Sequence, residues 1–270
     1  EAHSLTRILA DGAQEAGLAM GLGSLRAAVE DESLAYTYKV RDLAPDIPLF
    51  ANLGAVQLNY GYGLDECQRV VDMIEADALI LHFNALQEAV QPEGDGNFAN
   101  LLPKIAKVCS NLPVPVIAKE VGWGFSKRAA RQLADVGVAA IDVAGAGGTS
   151  WSQVEMYRAP NAHLARVAGA FVDWGIPTAF SIGYCRQAAP SLPIIASGGI
   201  RNGIDVAKCI ALGATIVGFA GAFLRTAASD GVSGVIEMAN TVTAELRITM
   251  FAAAAADHAA LSETALYTQF

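Results

Sequence analysis

Between residues 82 and 88 the chain reads HFNALQE, and four of those seven side chains can do chemistry. His82 is an acid–base group, Asn84 and Gln87 are amides, and Glu88 is a carboxylate. A lone histidine in an apolar run is most often a satisfied core residue. Four polar groups bunched where such a run ends point instead to a site. Glu88 suits Mg2+, a hard ion that completes its shell with water and ligand phosphate. A second group is Lys119, inside the apolar run PVIAKEVG (115–122). Its stem could pack while its amine snorkels outward. A strand covered on both faces makes that awkward and favours an anionic partner.

Three loops are nearly bare of side chains: VAGAGGTSW (143–151), SGGIRNG (197–203) and GFAGAF (218–223). Each is read either as a tight turn or as a backbone cradle for something large and anionic. The last two place glycines where a strand gives way to a helix, and free N–H groups at such a helix start bind phosphate. Other chemistries lack their signatures. The sequence has no GxSxG elbow, no P-loop and no His/Cys cluster with zinc spacing. Glu93 and Asp95 read as a solvated turn, and Trp123 and Trp151 as core or rim residues.

These groups need elements to hold them. Apolar runs of strand length recur at 18–24, 47–54, 78–84, 115–122, 139–145, 193–199 and 215–221. They do not alternate with polar residues, as expected of strands buried on both faces. Amphipathic stretches such as 63–76, 126–136 and 203–212 lie between them, so the chain is an α/β protein of parallel βαβ units. A (β/α)8 TIM barrel needs eight strands and seven are found. Residues 1–16 read as a helix with no strand ahead of it. The sheet is therefore either a barrel whose first strand is absent from this chain, which we favour, or open and doubly wound. No linker or repeat interrupts residues 1–270, which are read as one domain. In a parallel barrel the reactive groups sit at the carboxyl ends of strands. Those ends carry Ser24 with Arg26, Asn52, His82 with Asn84, Lys119 with Glu120, Asp142, Gly198–Gly199 and Ala220–Gly221.

Composition bounds the partners. With 27 acidic against 18 basic residues and a net charge of −9, the chain does not suit nucleic acid, which needs a basic face. The four cysteines (67, 109, 185, 209) are scattered and read as buried small hydrophobes. The most apolar long window, 204–224, contains Asp205, Lys208 and glycines, so it is read as a helix end, a turn and a buried strand rather than a membrane span. No signal peptide is recognised, and a cytoplasmic, reducing setting is expected.

The motifs together resemble the type 2 isopentenyl-diphosphate isomerases, which are FMN-dependent barrel enzymes. The stretches that carry the resemblance are GLGSLRAAVED, ANLGAVQL, HFNALQEAVQPEGD, AKEVGWGFSK, AGAGGTSW, SGGIRNG and GFAGAFL, in the family's order and over nearly the whole chain. H-x-N-x-x-Q-E followed by Q-P-E-G-D is the specific part, whereas SGGIR recurs in other FMN barrels. The resemblance implies that FMN contacts Ser24, Asn52, Lys119 and Thr149, with its phosphate on Gly199, Ile200, Arg201, Ala220 and Gly221. It implies that a small diphosphate substrate meets Ser24, Arg26, His82, Asn84 and Gln87, with Glu88 holding Mg2+. On that footing AGAGGTS is bare because flavin lies against it. The implied reaction is a 1,3-proton shift from isopentenyl to dimethylallyl diphosphate. It uses FMN kept reduced by NADPH or NADH, with Gln87, His82 and Lys119 as catalytic residues. A homotetramer or larger assembly is implied as well, and 250–260 (MFAAAAADHAA) is read as a packing helix.

The sequence departs from the family at its start. Members carry an Arg-Lys pair for the diphosphate and a first strand ending in Met-Thr, and neither is in these 270 residues. Two other readings stay open. One is an FMN-dependent 2-hydroxy-acid oxidase or dehydrogenase, which wants a His base and an Arg clamp late in the barrel. Arg201 is there, but no histidine is. The other is a non-catalytic flavin- or phosphate-binding module.

Overall fold

The computed structural model describes residues 2–266. Seven parallel strands follow one another in sequence order: β1 (Met20–Gly21), β2 (Leu49–Gly54), β3 (Ala78–Phe83), β4 (Val116–Glu120), β5 (Ala140–Asp142), β6 (Ile194–Ala196) and β7 (Ile216–Val217). Every strand expected from the apolar runs is present, in a curled, barrel-like sheet. Helices α1 (Ala2–Ala16) and α2 (Arg26–Glu30) flank β1, and α3 (Leu64–Ile74) joins β2 to β3. Then come α4 (Ala85–Val90) and α5 (Leu101–Asn111) before β4, and α6 (Lys127–Asp135) before β5. Three helices separate β5 from β6: α7 (Trp151–Arg158), α8 (Ala162–Gly169) and α9 (Thr178–Ala188). The chain closes with α10 (Gly203–Ala211), β7, the long α11 (Gly221–Ala252) and α12 (His258–Ser262).

Local chemistry sets these boundaries. Glu66 reaches back to accept the Gly63 N–H at 2.7 Å and starts α3. Ser126 accepts the Ala129 N–H at 3.2 Å and starts α6, and Asn202 accepts the Asp205 N–H at 2.9 Å and starts α10.

The two faces of the sheet are filled differently. Leu49, Leu53, Leu79, Leu81, Ile141 and Ile194 pack outward under the helices in the main core. Ala78, Ile80, Ile117 and Ala140, with Phe50 and Ile195 against them, form a separate cluster on the concave face. Register then stacks the concave face in layers. Asn52 pairs with Ile80, Ile80 with Ile117, and Ile117 with Ala140. Two residues further along each strand, Gly54, His82, Lys119 and Asp142 stand side by side. Because side chains alternate along a strand, this polar row is the layer directly above the apolar one.

Two expectations are corrected. The strand within 204–224 is not buried: Ile216 of β7 is 54 % exposed at the edge of the sheet. Residues 250–260 are not one helix. The chain turns after Ala252, with Ala254 at φ +55°, and Asp257 accepts the Ala260 N–H at 2.8 Å to start α12. A run of alanines allows helix, but it cannot overrule a cap placed a few residues on. No described helix is long and apolar enough to cross a membrane. All four cysteines are free, three buried and Cys109 half-buried.

Candidate active site

The polar row carries the site. His82 is held by Asn52, with Nδ1 to Oδ1 at 2.8 Å, while Asn52 Nδ2 donates to the Leu22 carbonyl at 3.0 Å. Burial, with the positive charge of Lys119 on the next strand, pushes the His82 pKa down to about 4, so the ring is neutral at pH 7. Lys119 Nζ donates to the Glu120 carbonyl at 2.7 Å. No carboxylate lies within ion-pair distance of it among the described residues, which leaves part of its donor capacity open to a ligand. Asp142 is buried, and its pKa is raised by that burial despite Lys119 and the 2.6 Å hydrogen bond it accepts from Ser197 Oγ. Glu120 turns away to accept the N–H groups of Val121, Gly122 and Trp123 at 2.8, 3.1 and 2.9 Å. Burial outweighs those bonds and lifts its pKa to about 7.

Beside the row, Asn84 precedes α4 and donates Nδ2 to Glu88 Oε1 at 2.7 Å. Its Oδ1 is buried without a partner, an orphaned acceptor of the kind a ligand donor satisfies. Glu88 Oε2 accepts the Asp95 N–H at 2.7 Å. Gln87 donates Nε2 to Glu155 Oε1 at 3.0 Å, and Gln91 reaches the same oxygen at 2.7 Å. The HFNALQE side chains thus fall into three separate hydrogen-bonded groups: His82 with Asn52, Asn84 with Glu88, and Gln87 with Glu155. Ser24 lies on the exposed loop after β1, where its Oγ faces the Arg26 N–H at 3.4 Å. Arg26 is engaged by Glu30 at 2.7 Å and Asp95 at 2.9 Å. Asp95 also accepts Gln57 Nε2 at 3.0 Å. It is thus the hub that straps the 91–95 loop across the strand ends, a correction to its reading as a solvated turn. Gly94 permits the strap, because a Cβ there would overlap the Glu88 carbonyl.

On the far side of the row lie the bare loops. Gly198 and Gly199 have φ of +104° and +80°, and a Cβ on either would overlap the carbonyl of Gly145 or Gly147. Thr178 Oγ1 donates to the Gly198 carbonyl at 2.6 Å, and the Gly145 N–H donates to Ser197 O at 3.0 Å. The glycines are thus first required by backbone packing on backbone, a reason separate from any ligand. Gly147, Gly148 and Thr149 remain exposed above that packing. Of the two expected helix starts, α10 is engaged by its own chain: Gly203 N–H donates to Glu245 at 2.7 Å, and Arg201 N–H to Asp205 at 3.2 Å. The start of α11 is free. It has no side-chain cap and no acidic residue in its first turn, and the amides of Gly221, Ala222 and Phe223 have no acceptor among the described residues. The Gly199 and Ile200 amides are likewise free. Since Ala196 of β6 pairs with Val217 of β7, these two sets of donors follow adjacent strands. They fit a phosphate group.

Sequence reasoning missed Glu155 and Asp95. Both act through partners 38 or more positions away, and no local spacing marks them.

The FMN-dependent dehydrogenase family matches residues 82–268, and the chain belongs to it. The solved structures it resembles include a mandelate oxidase bound to (S)-2-phenylpropionate, at TM-score 0.64 and 20 % identity, covering 96 % of this chain and 72 % of that one. Another is a lactate oxidase of Pediococcus acidilactici, at TM-score 0.65 and 19 % identity, covering 98 % and 72 %. At that identity they establish the barrel fold. Sequence relatives narrow the assignment. The chain is 55 % identical over 251 residues to the isopentenyl-diphosphate delta-isomerase of Nostoc sp., covering 93 % of this chain and 71 % of that protein. It is 54 % identical over 242 residues to the isopentenyl-diphosphate delta-isomerase of Rickettsia felis, covering 90 % and 70 %. Within the flavin barrels, the chain is a member of the isopentenyl-diphosphate delta-isomerase family.

Proposed function

We propose that this chain, acting as one FMN-binding barrel domain over residues 1–270, converts isopentenyl diphosphate to dimethylallyl diphosphate by a 1,3-proton shift. The observation that carries this reading is the Gln87–Glu155 hydrogen bond at the strand ends, with His82 paired in register to Lys119 beside it, in a chain 53–55 % identical to named isomerases.

The residues fit FMN. Ser24, Asn52, Lys119 and Thr149 would hold its ring and ribityl chain. Gly199, Ile200, Arg201, Ala220 and Gly221 would hold its phosphate, with the free α11 amides as the strongest support. When bound and kept reduced by NADPH, FMN would supply an electron-rich ring and a protonatable nitrogen. The rest belongs to the chain. Lys119 places a cation on the concave face, where it stabilises negative charge in a low dielectric. Gln87, oriented by Glu155, holds a proton-bearing amide at the strand ends, and Glu155 gives that proton an anionic neighbour. The apolar layer of Ile80 and Ile117 excludes water from below. Ser24, Arg26, His82, Asn84 and Gln87 bind the diphosphate, with Arg26 exchanging its carboxylate partners for phosphate. Glu88 makes no ion pair among the described residues, and it would give Mg2+ a single ligand, the others coming from water and diphosphate. We further propose a homotetramer or larger assembly and a cytoplasmic setting.

The test sets two substrates against each other. Anaerobic protein with dithionite-reduced FMN, Mg2+ and isopentenyl diphosphate is followed by proton NMR, and oxidised protein with lactate or mandelate by oxygen consumption. Dimethylallyl diphosphate without oxygen consumption supports the isomerase. Oxygen consumption without isomerisation would assign a 2-hydroxy-acid oxidase instead.

A further inference from the structure

A chain of hydrogen bonds fixes the tautomer of His82. The Leu22 carbonyl can only accept, so the Asn52 atom facing it at 3.0 Å is the NH2 nitrogen. Asn52 then presents its oxygen to His82 Nδ1 at 2.8 Å, and an oxygen there can only accept. Nδ1 therefore carries the proton. The ring is neutral, so Nε2 carries a lone pair. That nitrogen lies beside Gly54, 3.4 Å from where a Cβ on that glycine would stand, at the top of the concave face. The charged and titratable groups around it are Lys119 on β4, Asp142 beyond it on β5, and the Asn84–Glu88 pair from α4; β2 contributes Asn52 and no charge.

We infer that Asn52 is a positioning residue that holds His82 as the Nδ1–H tautomer, and that His82 takes up one proton at Nε2 when the substrate diphosphate binds. This rests on the reading that the diphosphate meets His82. A lone pair aimed at phosphate oxygens is acceptor against acceptor. An N–H bond formed at Nε2, with the proton drawn from the buffer, turns the contact into a charge-assisted donor. The diphosphate also offsets the Lys119 charge that disfavours imidazolium in the free site.

Isopentenyl diphosphate is titrated calorimetrically into protein loaded with oxidised FMN and Mg2+, near pH 7, in buffers of different ionisation heat. Proton uptake by the wild type is expected to exceed that of His82→Gln by about one. The His82→Gln reference removes any uptake by the diphosphate itself. Asn52→Asp, which sets a carboxylate against Nδ1–H and holds the ring protonated beforehand, is expected to lose the excess. The KM of the wild type should rise about tenfold per pH unit between the free-state pKa of about 4 and the bound-state pKa and level off above it, while Asn52→Asp flattens that rise. With four histidines in the chain, nitrogen NMR of the free protein, assigned against His82→Gln, is expected to show the Nδ1–H form. Binding without excess proton uptake, or an Nε2–H tautomer in the free protein, overturns this inference and leaves the isomerase reading standing. No binding of the diphosphate at all overturns both.

Discussion

Gln87 donates to Glu155 at 3.0 Å across 68 positions of sequence, joining the strand-end cluster after β3 to helix α7. Glu155 is only 6 % exposed, and it accepts Gln91 as well, with Arg158 at 3.6 Å as its nearest cation. A carboxylate this enclosed, aimed at an amide over the site, is placed to take a proton or to orient the group that does. Glu155→Gln is expected to lower kcat about 100-fold with KM changed only a few-fold, as measured by steady-state isomerisation. A rise in KM at unchanged kcat would make Glu155 a binding residue only.

Two buried groups give stability opposite slopes with pH. Glu120 has its folded pKa raised to about 7, so the folded state binds more protons than the unfolded one between about pH 4.5 and 7, and stability falls across that window as pH rises. His82, lowered to about 4, adds stability above its unfolded value near 6.5 that is lost as pH falls toward 4. The wild type should therefore vary little in denaturant midpoint between pH 4.5 and 6.5. Glu120→Gln should uncover a decline toward acid, and His82→Gln a decline toward neutral pH. Parallel curves for the three proteins would contradict both assignments.

Asp95 binds Arg26 at 2.9 Å and Gln57 at 3.0 Å, and its backbone N–H reaches Glu88. Asp95→Asn keeps the shape but removes the charge, and should cost about 1–2 kcal/mol in chemical denaturation. It should also leave Arg26 to Glu30 alone and so change KM for the diphosphate. An unaltered midpoint would return the 91–95 loop to the role of a solvated turn.

Gly198→Ala should cost more than about 3 kcal/mol and release the flavin, because φ is +104° and the added methyl overlaps the Gly145 carbonyl. Gly183→Ala is the control. It sits within helix α9 with nothing near its Cβ position, and should gain about 0.5–1 kcal/mol. Equal effects from the two would remove the case for loop-on-loop packing.

The strands were legible because parallel strands covered on both faces read as unbroken apolar runs, and all seven appear where those runs fall. The candidate residues on strand ends were legible for the same reason: once a strand is placed, so is its carboxyl end. What escaped was whatever depends on a distant partner. Asp95 looked like surface until Arg26 and Gln57 were brought to it. Glu155 sat in a helix with no local signal. The glycines of 143–149 read as either a tight turn or a ligand cradle, and nothing in the sequence marks that a Cβ on Gly145 would overlap the Thr178 backbone or one on Gly148 the Gly199 nitrogen. The alanine run at 250–260 suggested one helix because composition does not show where a cap will fall.

The most direct test is one reaction in heavy water. Anaerobic protein with reduced FMN, Mg2+ and isopentenyl diphosphate is followed by proton NMR. The account expects dimethylallyl diphosphate carrying deuterium from solvent, formed by the wild type and slowed by Glu155→Gln. A flavin-loaded protein that binds the diphosphate yet neither forms product nor exchanges deuterium would contradict it.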